Sequence, residues 1–277
     1  MKLGVLILLD TADVDSKFKQ VADYGFHSCQ LCCWDMSLYT DDVAENIKTA
    51  MDKYDVRIST LWAGWSGPKV WDFYDGQLTL GLLPREFRYD RMKELMQGSD
   101  FAKKLGVKNV ATHVGYMPEN PNTLEYREII SAIRSVALHF KENDQYFLFE
   151  TGQETPVTML RCFETVGCDN LGINLDTANL ILYGKANPVD ALDVFGRYVR
   201  NLHAKDGCYP TNGHDLGCET RIGDGKVDFR ALFKRLHELG YDSYVTIERE
   251  IDGAQQLADI NHARDHLQNI IDEIYGG

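Results

Sequence analysis

The sequence contains no long apolar run. Residues 1–9 hold about seven apolar residues before Asp10, which is short for a signal segment and has no small-residue cleavage site behind it. Nothing approaches the roughly 18 apolar residues of a membrane-spanning helix, so no membrane partner is expected and a cytoplasmic location is. Basic residues are in deficit, 29 Lys and Arg against 42 Asp and Glu, for a formal net charge of −13. Without a compensating Lys/Arg stripe such a chain repels a phosphate backbone, so nucleic acid is not an expected partner. Proline is scarce at seven in 277 residues, and no Pro/Ser linker or break in composition divides the chain. Cysteine forms no framework. The seven are odd in number, and the lone C-x-x-C (Cys29 and Cys32, with Cys33 beside it) has no second pair at zinc-finger spacing, so reduced core thiols are expected. No G-x-G-x-x-G follows the first apolar run, which argues against an open dinucleotide-binding sheet.

What is present is a rhythm of short apolar, β-branched runs alternating with amphipathic segments. Strands are expected at 2–9, 27–33, 56–62, 107–113, 145–150, 171–176, 198–204 and 243–248. Helices are expected near 13–24, 40–53, 86–105, 123–142, 155–166, 187–196, 227–239 and 255–275. Pro156 suits a first helical turn, and Gly25, Gly106 and Gly240 stand where C-terminal caps belong. Eight β/α units in a chain near the roughly 250 residues typical of the fold predict an α/β protein, a single-domain (β/α)8 TIM barrel over residues 1–277. Two loops break the rhythm, an aromatic one at 63–85 and a glycine-rich one at 206–225. Both follow strands, which puts them on the active-site face of a barrel, where they are expected to cover a substrate.

The ends of the later strands carry chemistry: His113, Glu150, Asp176, His203 and Glu248. Asp176 follows Glu150 by 26 residues and His203 follows Asp176 by 27, about one β/α unit each time. Glu248 comes a unit later once the glycine-rich insertion is set aside. Residues at successive strand ends converge on one mouth. A lone strand-end Asp often merely caps the next helix. Three carboxylates and an imidazole together, however, would repel one another without a cation between them. Oxygen donors with one nitrogen suit a divalent metal, with Mn2+ the first choice and Mg2+, Co2+ or Zn2+ the alternatives.

These residues, with THVGYMPE at 112–119, FETGQET at 149–155, NLDTANLILYG at 174–184, HAKDG at 203–207, IGDGKVDF at 222–229 and TIERE at 246–250, resemble the sugar phosphate isomerases/epimerases of the xylose-isomerase-like barrel superfamily. That group includes ketose 3-epimerases, inosose dehydratases and endonuclease IV, and the resemblance covers nearly the whole chain. It implies that Glu150, Asp176, His203 and Glu248 bind one metal and that Glu150 and Glu248 flank a sugar or keto-sugar. A proton removed by one glutamate and returned by the other, through an enediolate, would then give epimerisation or isomerisation. Many relatives carry a His where this chain has Asn179, which orients a hydroxyl but carries no proton near neutral pH. Trp62 stands near a position where the trinuclear endonuclease site needs a histidine, which argues against a nuclease.

His113, Glu154, Asn179, Lys205, Glu219, Arg221 and Trp62 are further candidates for substrate contact, and Trp65 and Trp71 for an apolar wall. Lys205 would hold a substrate oxygen or a phosphate, or pair with Asp206 or Glu154. Three other readings stay open: a metal-dependent lyase or dehydratase acting on a keto-inositol or 3-keto-glycoside, a Schiff-base aldolase using Lys205, and a non-catalytic sugar-binding barrel. A homo-oligomer is compatible with the sequence.

Overall fold

A computed structural model describes residues 1–276. Eight parallel strands close into a barrel: β1 (Lys2–Leu8), β2 (Ser28–Cys33), β3 (Arg57–Ala63), β4 (Asn109–Thr112), β5 (Tyr146–Glu150), β6 (Leu171–Asp176), β7 (Val199–Ala204) and β10 (Tyr244–Ile247). The ring closes where β10 pairs with β1, Lys2 opposite Tyr244 through Val5 opposite Ile247. Each expected strand is present, with ends shifted by a residue or two.

The main outer helices are α1 (Asp15–Asp23), α2 (Asp41–Tyr54), α4 (Arg85–Lys104), α5 (Leu124–Glu142), α6 (Pro156–Val166), α8 (Pro188–Phe195), α9 (Phe229–Glu238) and α10 (Ala254–Tyr275). Their ends follow local chemistry. Thr40, Thr123 and Thr155 accept hydrogen bonds from the first turns of α2, α5 and α6, and Pro156 occupies the first turn of α6. Gly25, Gly106 and Gly240 leave their helices at φ of +79°, +72° and +76°.

Two short helices were not anticipated, α3 (Gly76–Thr79) and α7 (Thr177–Leu182), and the glycine-rich loop contains a hairpin of β8 (Asp206–Cys208) with β9 (Cys218–Thr220). All are too short to leave a periodic signature.

The apolar residues between helices and barrel form one continuous cluster, with Phe18, Ile47, Phe101, Ile133, Phe149, Phe195 and Leu232 essentially inaccessible. The barrel interior is different. Asn201 on β7 donates to Gln30 on β2 at 2.8 Å and to Asn174 on β6 at 2.7 Å. β2 and β7 are not neighbours, so the first bond crosses the barrel lumen. Side chains two residues apart on a strand share a face, so the same face carries Asp176 above Asn174 and His203 above Asn201.

Both long loops are pinned. Arg91, wholly buried, donates to the carbonyls of Ser66 (3.1 Å), Pro68 (2.9 Å), Thr79 (2.7 Å) and Gly81 (2.7 Å), fastening the 63–85 loop to α4. At Gly81, φ is +65° and an added Cβ would lie 2.1 Å from the Val114 carbonyl carbon, so only glycine fits. Asp206 accepts from the backbone N–H groups of Gly207, Gly223, Gly225 and Val227 and ties down the second loop. No helix among the described residues is long and apolar enough to cross a membrane.

Candidate active site

Glu150 ends β5, Asp176 ends β6, His203 stands next to last on β7, and Glu248 directly follows β10. These four strands are consecutive in the barrel, with Asp176 in register with His203 and His203 with Thr246. One ligand atom from each of Glu150, Asp176, His203 and Glu248 falls within 4.8 Å of the others. His203 Nδ1 lies 3.0 Å from Glu248 Oε2, 3.4 Å from Glu150 Oε1 and 3.7 Å from Asp176 Oδ2.

The helix-cap role of Asp176 and its place in the cluster are both present, one oxygen to each. Oδ1 accepts from the Asn179 amide at 2.7 Å to cap α7, while Oδ2 has no hydrogen-bond partner. Glu248 Oε2 and both ring nitrogens of His203 are likewise buried without hydrogen bonds. Their mutual contacts are close but not aligned for hydrogen bonding. Oxygen and nitrogen donors converging with spare lone pairs are the arrangement a divalent cation takes up, so this residue set fits the metal expected from the sequence.

The charge argument made from the sequence was incomplete. Lys205 Nζ, also buried, is 2.8 Å from Glu250, 3.5 Å from Glu248 and 3.7 Å from Asp176. Burial opposes charge on His203, but Glu248 and Glu150 overcome it and raise its proton affinity well above the ordinary histidine value. Burial likewise opposes charge on Glu248, yet Lys205 and His203 hold that carboxyl far below the usual range. Burial pushes Asp176 up to about 7 against the pull of Lys205. Protonated His203 and Lys205 therefore balance the carboxylates when no metal is bound, and a metal must displace the imidazole proton.

Glu150 and Glu248 open onto a cavity of about 660 Å³, with His113, Asn179, Trp34, Trp62, Trp71 and Tyr183 among its other lining residues. Asp176 and His203 lie behind it, inaccessible. The Trp62 indole N–H donates to Glu150 Oε2. His113 Nε2 and Asn179 Nδ2 each lie 3.4 Å from Glu150 Oε1. Burial lowers the proton affinity of His113, leaving a neutral ring against Trp62 and Trp71.

Four candidates fall elsewhere. Lys205 is not among the residues lining the cavity and pairs with neither Asp206 nor Glu154; its ammonium faces carboxylates, which leaves no free amine for a Schiff base. Glu219 bonds Arg249 at 2.9 Å and the Glu250 amide at 3.2 Å, bracing the segment after β10. Arg221 is exposed and bound to Asp224 at 3.0 Å, away from the cavity. Glu154 opens into a different pocket. The sequence reading missed Trp34, which follows β2, and Arg249 and Glu250, which follow Glu248. The strand-end rule extended to β2 and past Glu248 would have found them. The C-x-x-C cysteines are free thiols, and burial raises the proton affinity of both.

Fold and site together define a (β/α)8 barrel with a carboxylate–histidine cluster at the C-terminal mouth of its strands, opening into a deep cavity. Residues 18–270 match the family described as Xylose isomerase-like TIM barrel, and the chain belongs to that family. It is 31% identical to a xylose isomerase domain protein from Planctomyces limnophilus, covering 100% of this chain and 99% of that one with a TM-score of 0.94. An uncharacterized protein of Methanocaldococcus jannaschii is 24% identical over 263 residues, 90% of this chain and 84% of that protein. An inosose dehydratase of Lacticaseibacillus casei is 28% identical over 120 residues, 38% of this chain and 39% of that protein. A D-tagatose 3-epimerase-like protein shares the fold, with a TM-score of 0.74 at 21% identity over 99% of both chains.

Proposed function

We propose that the protein is a metal-dependent isomerase or epimerase of an unphosphorylated sugar or keto-sugar, with Glu150 and Glu248 as the proton-transferring groups. The observation that carries this reading is that both glutamates face one cavity while sharing a cluster with Asp176 and His203. A divalent ion held there, Mn2+ in the first instance, would draw on the carbonyl and a neighbouring hydroxyl of the substrate and stabilise enediolate charge.

The protein's own groups supply the rest. Trp62 and Asn179 orient Glu150, and Lys205 orients Glu248 from behind. Glu248 is held as a carboxylate by Lys205 and His203, whose pull has to be relieved for it to take a proton, and His113, neutral, is placed to hydrogen-bond a substrate oxygen. The cations that line the cavity are already paired, Lys17 with Asp10 at 3.0 Å and Arg249 with Glu219 and Asp259 at 2.9 and 2.8 Å. That leaves no unpaired cationic side chain on the lining to bind a phosphate.

A lyase or dehydratase begins with the same proton removal, and the inosose dehydratase likeness keeps that reading as the second. Incubating the metal-loaded protein with unphosphorylated ketoses and inososes in D2O separates them. Deuterium exchange without loss of water supports the epimerase, and exchange coupled to dehydration supports the lyase. Exchange that persists at the wild-type rate in the Glu150→Gln/Glu248→Gln double variant, or after full metal removal, rejects both.

A further inference from the structure

On the same rim as the main cavity lies a separate pocket of about 360 Å³ that no role yet described uses. The loop after β5 contributes Gln153 and Glu154, the start of α6 contributes Thr155 and Thr158, and Tyr116 and Phe73 close it from the loops after β4 and β3. Gln153 and Glu154 are each only 2% exposed. None of their four side-chain polar atoms makes a well-aligned hydrogen bond in the protein, although the Tyr183 hydroxyl lies within reach of the Gln153 amide. Buried polar groups are ordinarily satisfied, and leaving one unpaired lowers stability. Two consecutive residues that both forgo partners inside one pocket are a preformed binding surface.

The chemistry of that surface narrows the ligand. Burial pushes the Glu154 carboxyl up to about 8, so near neutral pH it keeps its proton and offers one donor and one acceptor. Gln153, the preceding residue and also on the lining of this pocket, offers both as well. Two adjacent donor–acceptor pairs match two neighbouring hydroxyls. Glu119 and Glu125 also line the pocket, against the single cation Lys185, which disfavours an anion. Tyr183 forms the partition. It lines the main cavity, packs edge-on against Tyr116 (centroids 5.9 Å apart) and Phe73 (6.3 Å), and its hydroxyl too makes no well-aligned hydrogen bond.

We propose that the Gln153–Glu154 pocket binds neighbouring hydroxyls of a neutral sugar or polyol, at a site distinct from the metal cluster. The hydroxyls come either from a second unit of the substrate reaching past Tyr183 or from a separate sugar molecule. The proposal rests on the sugar reading of the main cavity for the class of ligand, but its test does not depend on turnover.

The experiment titrates metal-loaded protein with D-fructose, maltose and myo-inositol by calorimetry and records thermal melts with and without each. The proteins are wild type, Glu154→Leu, Glu154→Gln and Gln153→Met. Glu154→Leu is expected to melt no lower than wild type, because it removes an unpaired buried polar group, and to weaken binding of at least one probe by about tenfold or more. Glu154→Gln, which keeps a donor and an acceptor, is expected to retain most of that binding. Loss of maltose affinity at unchanged one-to-one stoichiometry assigns the pocket to a second substrate unit, and a fall from two sites to one assigns it to a separate molecule. A Glu154→Leu protein that melts several degrees lower with all probe affinities intact makes the residue structural and overturns the proposal. So does a wild-type protein that binds none of the probes. Metal-dependent exchange surviving at the wild-type rate in the Glu150→Gln/Glu248→Gln double variant, by contrast, overturns the reading of the main cavity alone.

Discussion

On one side of the barrel mouth, β5, β6, β7 and β10 present Glu150, Asp176, His203 and Glu248, with Lys205 buried behind them and Asn174 and Asn201 one layer below. On the other, β2, β3 and the 63–85 loop gather all four tryptophans of the chain. Trp34 and Trp62 are 4.8 Å apart between ring centroids, Trp34 and Trp65 5.2 Å, and Trp65 and Trp71 6.5 Å. The two walls meet at the hydrogen bond from Trp62 to Glu150. The contrast teaches a division of labour. On the proposed function the acid wall would supply ligands and proton carriers, while the aromatic wall would offer an apolar face to a sugar ring. By excluding water, the aromatic wall also strengthens every electrostatic interaction opposite it.

If that division is real, the two walls respond to different perturbations. The largest effect is expected on the acid wall. Glu150→Gln or Glu248→Gln keeps the shape but removes a proton carrier and an anionic ligand. Deuterium exchange into a bound ketose should fall by about a hundredfold to ten-thousandfold, and metal affinity, followed by calorimetry, should fall with it. Exchange at the wild-type rate in either variant would falsify the assignment of that glutamate.

Acid titration is the next test. The imidazole of His203 is held protonated by Glu248 and Glu150, and its proton must leave before a metal binds. The affinity of the metal should therefore weaken as pH falls, by about tenfold per pH unit where His203 alone gives up a proton and more steeply below about 7, where Asp176 must give one up too. Metal affinity independent of pH would show that His203 is not a ligand.

The seam between the walls is a subtler target. Trp62→Phe keeps the ring and deletes the donor to Glu150, an orienting bond to a proposed ligand. Losses of about ten- to a hundredfold in metal affinity or exchange are usual for such partners. A Trp62→Phe protein with unchanged metal affinity and unchanged exchange would mean that the walls act independently.

The acid wall was legible in the sequence because strand spacing alone places it. Four residues one β/α unit apart, each at a strand end, have nowhere to go but the same rim. The aromatic wall was legible only in part. Trp62 follows from the strand rule and Trp34 from the same rule extended to β2, but Trp71 comes to the wall through a loop whose course depends on Arg91 and on the glycine at position 81. Four carbonyls gathered by one arginine from across a loop leave no periodic trace. The polar interior was missed for another reason. Gln30, Asn174 and Asn201 sit in runs whose apolar neighbours face the helices, and only the hydrogen bond across the lumen reveals the alternation. Arg221 and Lys205 misled for opposite reasons. Arg221 was placed by its loop, yet it finds Asp224 three residues on. Lys205 was expected on a substrate oxygen or beside Asp206 or Glu154, yet it is consumed by the carboxylates of Glu248 and Glu250.

The smallest expected effect isolates the aromatic wall. Trp71 is 40% exposed, lines the cavity, and packs on His113 with ring centroids 5.2 Å apart. Its loop is fastened through Arg91 rather than through the indole, so Trp71→Ala should leave the fold and the metal cluster intact. What it removes is apolar surface available to a sugar ring equally in the ground state and the transition state. Such uniform binding raises KM and leaves kcat unchanged, and partial loss of one indole face is expected to raise KM by about three- to tenfold, on the order of 1 kcal/mol. Steady-state kinetics on the preferred ketose, alongside metal titration of the same variant, checks both halves of the claim. A fall in kcat of the size expected for Glu150→Gln would mean that Trp71 positions the reacting groups. The two walls would then have to be regarded as one catalytic unit.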